Sequence, residues 1–311
     1  MKIYEIKLRP HSAFISSIHG DTLFGSLCWQ IHNLGLDLDN LLQNYAASPF
    51  MVVSSGFYYS KGSYFLPRPL CPSHLMFADE KIEERKKNNK KCFFRVNRGD
   101  GIDIAQLNFD TEQSFSVMTK REHNSVSRLS GTTTNEEFAP FQHRAVFYRD
   151  LAKIVVFAGI DESRFSKEDL LKIFINQGRF GFGKRASVGY GHFTVESCEE
   201  SHLWNRDFSD DNFLYALSPF VLSEQEQSQL KQIYFQPFTK YGKHGDIYAA
   251  SKAPFKKPVI MADTASLVAL RVPFMKERPY IGQGLTDISY VDSKTVAQGY
   301  ALCLPCKLGD L

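Results

Sequence analysis

Between Phe180 and Phe193 the chain carries four glycines, two adjacent cations and alternating aromatics within fourteen residues, Phe-Gly-Phe-Gly-Lys-Arg-Ala-Ser-Val-Gly-Tyr-Gly-His-Phe. So dense a run of glycines reads as a loop. Glycine tolerates positive φ and lets another group come close, so Gly181, Gly183, Gly189 and Gly191 leave bare amides that can point at an anion. Lys184 and Arg185 stand where those amides would converge. Upstream, Ser166 to Gln177 predicts a helix: Ser166 is an N-cap, Asp169 lies in the first turn, and Leu170, Leu171, Phe174 and Ile175 recur at helical spacing. Downstream, His192 to Glu196 alternates as a strand does. Helix, glycine loop, strand is the order of the second half of a ferredoxin-like unit that meets RNA through its last connection. A glycine-rich turn that merely closes a sheet edge fits the same residues.

Two phosphate motifs are excluded. Gly178 to Lys184 matches G-x-x-x-x-G-K, but Arg185 follows where a P-loop needs Ser or Thr for magnesium. Gly181-x-Gly183-x-x-Ala186 matches the dinucleotide fingerprint, which must follow a strand and open a helix; here the order is inverted.

With 311 residues the chain has room for two domains, each with its own core. It is 43% hydrophobic and 23% charged, as soluble globular proteins are. It has no run of about eighteen apolar residues and opens on an alternating Met-Lys-Ile-Tyr-Glu-Ile-Lys rather than a signal-peptide core, which predicts a cytoplasmic protein. A formal net charge of +3 is too small to argue for nucleic acid in bulk, so any RNA site must be local. The six cysteines are scattered. Cys303-Leu-Pro-Cys306 has zinc-like spacing without a second pair, and no paired carboxylates suggest two-metal cleavage, so neither metal nor cofactor is expected.

Lys2 to Leu8 alternates as a strand. Asp21 then predicts the N-cap of a helix carrying Leu23, Phe24, Leu27, Cys28 and Ile31, followed by a short helix over 38–46 and a strand over 50–55. From 67 to 112 the pattern breaks down: Pro67, Pro69 and Pro72 argue against regular structure, and the charged run 79–91 predicts a solvated insertion whose basic end, if helical, could track a phosphate backbone. A strand over 114–126 comes next. Phe141 to Tyr148 and Leu151 to Ile160 then predict a strand pair turning at Arg149-Asp150. The polar stretch 197–209 marks a boundary between a first domain over 1–200 and a second over 205–311. The second opens on a strand at Asn212 to Phe220 with a helix from Glu224 to Ile233. Further strands are expected at Ala265 to Pro273 and Val296 to Pro305, with a glycine loop at Pro279 to Gly284. The fold class predicted is α+β: tandem ferredoxin-like, RRM-like domains with antiparallel sheets, a glycine-rich loop and an inserted segment.

Five segments taken in order resemble the repeat-associated mysterious proteins (RAMPs) of CRISPR systems, and among them the family of fourth subunits of the type III-A Csm complex. They are Lys2 to Leu8, His19-Gly-Asp-Thr-Leu-Phe-Gly-Ser-Leu-Cys-Trp29, His123-Asn-Ser-Val-Ser-Arg-Leu-Ser-Gly131, the glycine loop, and Val296-Ala-Gln-Gly-Tyr-Ala-Leu-Cys-Leu-Pro305. The third departs from the group, which more often shows an acidic residue before the Arg and Thr before the Gly. The resemblance implies a non-catalytic subunit that grips the 5′ handle of the CRISPR RNA (crRNA), docks a large polymerase-nuclease subunit and a backbone RAMP subunit, and acts in antiviral defence. Target RNA is a further partner to be considered.

Candidate RNA-binding residues follow. Lys184 and Arg185 would meet phosphate, with Gly181, Gly183, Gly189 and Gly191 giving close backbone approach. Tyr190 would stack on a base, unless it faces the core. His19, Gly20 and Thr22 lie at a helix N-terminus, where amides and the helix dipole favour anions; Asp21 is expected to cap it. Arg128, beside the Gly131 turn, suits phosphate or 2′-OH recognition, or an ordinary surface ion pair. Two other readings compete: a metal-independent endoribonuclease with His19 as general base and Lys184 or Tyr190 steadying charge, and an assembly scaffold without RNA contact.

Overall fold

A computed structural model describes the chain except residues 78–81, 110–114, 134–138, 150–151 and 310–311. The sequence expectations at Asp79, Ser114, Asp150 and Leu151 lie outside the described residues.

The first half begins with β1 (Lys2–Pro10), α1 (Gly20–Asn33) and a single turn, α2 (Leu38–Leu42). Three short strands follow, β2 (Met51–Val53), β3 (Phe57–Ser60) and β4 (Ser63–Pro67), then two short helices, α3 (Ser73–Met76) and α4 (Ile82–Asn88), and β5 (Phe93–Val96). After β6 (Ser116–His123), β7 (Phe141–Tyr148) and β8 (Lys153–Ile160), the half closes with α5 (Lys167–Phe180) and β9 (Phe193–Glu200). The sheet runs β5-β4-β3-β8-β1-β9, with β2 also on β8. Because β2 and β3 lie end to end along β8, the inner order is the 4-1-3-2 of a ferredoxin-like unit, with α1 and α5 as its two helices. Alternation in β1 predicts one buried face, but both are buried except near the ends, since β1 is central and the second half of the chain covers the other side.

The second half contains β10 (Phe213–Ala216), α6 (Glu224–Ser228), β11 (Leu230–Tyr234), β12 (Pro237–Lys240), β13 (Val259–Ala262), β14 (Leu267–Leu270), β15 (Tyr280–Leu285) and β16 (Ala297–Cys306). Its main sheet runs β11-β14-β10-β16-β15. The ferredoxin-like order recurs in β11, β14, β10 and β16, while α6 is a single turn and β15 takes the place of the second helix. The second unit is therefore a degenerate one.

Four local expectations are corrected. Within 67–112, residues 93–104 belong to the fold: Phe94 is buried, β5 pairs with β4, and Ile104 donates its amide to Lys307 O, so the prolines only shape the connection. Strand β7 pairs with β6 from end to end and not with β8, which belongs to the central sheet. The helix from Glu224 stops at Ser228, because Leu230 and Ile233 pair with Leu270 and Val268 and tertiary packing overrides local propensity. The glycine segment at 279–284 is a strand: Gly282 has φ +95°, and a Cβ there would lie 2.2 Å from Gly299 O, so glycine lets β15 close on β16.

The two halves share a core. One cluster holds Leu23, Phe24 and Val53 together with Tyr215, Leu217, Tyr300 and Leu302, where separate cores are predicted. Gln298 on β16 ties them further: its amide accepts from Val53 N at 2.8 Å and donates to Val53 O at 2.7 Å. Cys303 and Cys306 are both fully buried on β16, and burial pushes their thiols up in pKa. Among the described residues no three His, Cys, Asp or Glu side chains gather as metal ligands would.

At the centre of the first sheet Glu5 is completely buried, accepting a hydrogen bond from Tyr64 Oη and pairing with Lys7 Nζ at 3.0 Å and Arg98 at 3.3 Å. Burial works to raise its pKa, but the bonds from Tyr64, Lys7 and Arg98 outweigh that and leave it lowered. A depressed folded pKa stabilises the protein above the unfolded carboxylate value and loses that contribution as pH falls through the folded one. The melting temperature should therefore drop as pH is taken below about 4.3, more steeply for the native chain than for Glu5→Gln. At neutral pH Glu5→Gln should cost about 2 kcal/mol by leaving Lys7 half-buried without its anion. Parallel pH profiles of the two proteins would show that Glu5 carries no such role.

Candidate nucleic-acid interface

The glycine loop follows α5, whose N-cap Ser166 accepts from Asp169 N. Phe182 is buried and anchors the loop, its amide donating to Gly191 O; Gly191 N in turn donates to Ala13 O. Gly181, Gly183, Gly189 and Gly191 all have positive φ, and so does Arg185 at +63°. Beyond this anchor the backbone turns outward. Gly183, Lys184, Ser187, Val188 and Gly189 are exposed, and Lys184 donates its amide to Ser16 Oγ at 2.9 Å. Neither Lys184 nor Arg185 has a carboxylate within ion-pair distance among the described residues.

The β6–β7 hairpin stands beside this loop. The segment between β1 and α1 forms their common floor: Phe14 exchanges backbone hydrogen bonds with Val146 of β7, while Ala13 holds Gly191. The Arg185 guanidinium lies 4.9 Å from the centre of the Phe141 ring. His143 is close enough that burial first, then the charges of Arg185 and Lys184, hold its imidazole below the usual pKa. In the hairpin, Lys120 opposes Arg144 and Arg121 opposes His143. Successive pairs on a strand ribbon face opposite ways, so Arg121 and His143 share the face of Phe141, which Arg185 covers, while Lys120 and Arg144 form a like-charged pair on the other face. Lys120, Arg121 and Arg144 are exposed.

The predicted site residues divide. Lys184, Arg185, Gly183 and Gly189 lie together on the exposed part of the loop, while Gly181 and Gly191 are buried at its base. Arg128 and Gly131 lie at the far turn of the hairpin, where Gly131 N donates to Ser127 O and Gly131 has φ +64°. Tyr190 is only 9% exposed and packs with Ala13 and Ala145, so its ring serves the core rather than offering a stacking surface. Gly20 is also buried: its amide donates to Ser55 Oγ, and a Cβ there would meet Val53 O at 2.5 Å. The Thr22 hydroxyl accepts from Lys240 Nζ at 2.6 Å. Asp21 does not cap α1; His19 occupies the N-cap position without a side-chain cap bond, while Asp21 pairs with Lys240 at 2.7 Å. Lys240, remote in sequence, has the geometry to satisfy Asp21 and Thr22 together. His19 is half-buried at the wall of a cavity.

Reasoning from the sequence misses the hairpin cations Lys120, Arg121 and Arg144, together with Phe141, His143 and Ser16. Basic residues in both 116–123 and 141–148 were the available signal; assigning Phe141 to Tyr148 to the wrong partner hides it.

Two ferredoxin-like sheets in tandem, with a glycine loop leaving the second helix of the first, form the architecture of this chain. No family model matches the sequence, and no curated protein does. Solved structures do match in fold: a chain of the Csm1-Csm4 cassette in complex with cA4 superposes with a TM-score of 0.65 at 14% identity over 100% of both chains. A chain of the Csm3-Csm4 subcomplex of the type III-A CRISPR-Cas interference complex gives 0.60 at 14% identity, covering 99% of this chain and 100% of that one. A chain of the Csm1-Csm4 cassette with AMPPNP gives 0.60 at 15% identity over 100% of both. The fold is the one these chains of Csm1-Csm4 and Csm3-Csm4 structures share. No helix among the described residues is long and apolar enough to cross a membrane.

Proposed function

We propose that this chain is a non-catalytic RNA-binding subunit of a type III-A CRISPR effector complex, acting in the cytoplasm in antiviral defence. It grips the sugar-phosphate backbone of the crRNA 5′ handle between the glycine loop and the β6–β7 hairpin. The observation that carries this reading is the basic surface where the loop meets one face of the hairpin: Lys184 and Arg185, without carboxylate partners among the described residues, with Arg185 over Phe141 and Arg121 across from His143 on the same face. Lys184, Arg185 and Arg121 concentrate positive charge there, which attracts an anion, and a polyanion suits a surface shared by loop and hairpin better than a single phosphate. The fold shared with chains of Csm1-Csm4 and Csm3-Csm4 structures supports a large polymerase-nuclease subunit and a backbone RAMP subunit as partners.

The test is filter binding of single-stranded RNA carrying the host genome's CRISPR repeat, over a range of salt. Affinity should fall linearly on a double-logarithmic plot with a slope of several units. Binding that is absent or indifferent to salt would leave the scaffold reading in possession.

The nuclease reading has weaker support. Among the described residues the cavity that His19 lines includes no carboxylate or cation to steady a charged intermediate; of the two expected helpers, Tyr190 is buried and Lys184 is not part of the cavity wall. Incubated with the same RNA in EDTA, the native chain should yield no cleavage product. A product that disappears in His19→Ala would identify a metal-independent nuclease.

A further inference from the structure

Next to the loop lies a cavity of about 250 Å³, walled by the 14–19 segment, β3 and the inner end of β7. We infer that it receives one nucleobase turned out of the bound RNA strand. The inference rests on the RNA-binding reading above and adds a base-recognition site to it.

Phe14, Tyr58 and Tyr148 give the cavity its aromatic wall; Phe14 meets Tyr148 edge-on at 5.4 Å, and Tyr58 lies 6.0 Å from Tyr148. Ser16, His19 and Thr264 add polar groups to the lining. The His19 imidazole makes no hydrogen bond or ion pair among the described residues, so a nitrogen at the wall is free to donate or accept. Among the described residues no Asp, Glu, Lys or Arg lines the space, which suits a neutral ligand. An aromatic face for stacking and a polar edge for hydrogen bonding are what an extruded base requires. The volume is below the roughly 300 Å³ at which sites for drug-sized ligands begin, so it suits a single ring system.

The location supplies the second argument. Ser16 belongs to the cavity wall, and its hydroxyl also accepts the Lys184 amide at 2.9 Å. A phosphate held by the loop and a base in the cavity would thus flank the same serine, close enough to belong to neighbouring parts of one strand.

The test places a fluorescent purine analogue, and separately an abasic site, at each position in turn of the repeat RNA bound to the full-length chain. One position should show quenching of the analogue, and an abasic site there should weaken binding roughly tenfold, the worth of one stacked base, without changing the salt slope. Ser17 is exposed at the cavity rim, so Ser17→Trp should plug the opening, abolish the quenching and reproduce that loss, again at native salt slope. If RNA binds with a steep salt slope but every abasic site is equivalent and no position is quenched, the base site is wrong and the backbone grip stands. Absence of RNA binding would overturn both. Release of the quenching by adenosine monophosphate at micromolar concentration would show a free-nucleotide site and likewise overturn the proposal.

Discussion

Replacing Lys184 and Arg185 together by alanine is expected to weaken RNA binding by roughly ten- to a hundredfold at low salt and to reduce the salt slope by about two units. Each side chain that touches a phosphate releases counterions from the RNA, so the slope counts such contacts in a way that affinity alone does not. Lys184 is exposed at the loop tip with its backbone held by Ser16, so removing its side chain leaves the tip's anchor in place. Arg185 has a second role: it lies over Phe141, and losing it also loosens the loop from the hairpin. The single variants should therefore differ. Lys184→Ala should lower the slope by about one unit with little change in melting temperature, whereas Arg185→Ala should do the same and lower the melting temperature slightly as well. A double variant with the native slope would remove the loop from the RNA surface.

Gly191→Val should be the most damaging single change in the site, costing about 3 kcal/mol or more. Gly191 has φ +73°, and a Cβ there would sit 2.1 Å from Phe182 O and 2.6 Å from Phe182 N. The side chain must displace the backbone of a buried residue, and Phe182 is what fastens the loop to the core. Gly189 provides the contrast: its φ is +97°, but nothing lies within 4 Å of a Cβ there. Gly189→Ala should cost only the backbone preference, about 1 kcal/mol. Urea unfolding midpoints separate the two cases, and equal losses would show that crowding at Phe182 is not what matters.

The central ferredoxin-like layout was legible in the sequence because its signals are local. The Ser166 cap, the helical spacing of Leu170, Phe174 and Ile175 and the alternation after His192 all describe neighbours in sequence, and the structure has a helix, a loop and a strand there. Long-range pairing was not legible. Phe141 to Tyr148 alternates as a strand whatever its partner, so nothing local distinguishes β6 from β8 beside it. Leu230 to Tyr234 is a strand only because Leu267 to Leu270 offers an edge. In the site, residue types were readable but solvent access was not. Tyr190 and Gly20 look like surface residues in a glycine-rich context, yet Ala13 and Ala145 cover the first, and Val53 and Ser218 crowd the second. Lys240 shows how the error arises: a cation more than two hundred residues away takes the carboxylate that looked like a cap.

The side-chain amide of Gln298 imitates a peptide group, presenting a donor and an acceptor to Val53 as a neighbouring strand would. Through that imitation, and the common cluster of aromatic and aliphatic residues around it, neither half has a finished surface without the other. Calorimetry should then record one melting event for the whole chain, and a gene cut near residue 205 should deliver two insoluble fragments that recover structure only when refolded together.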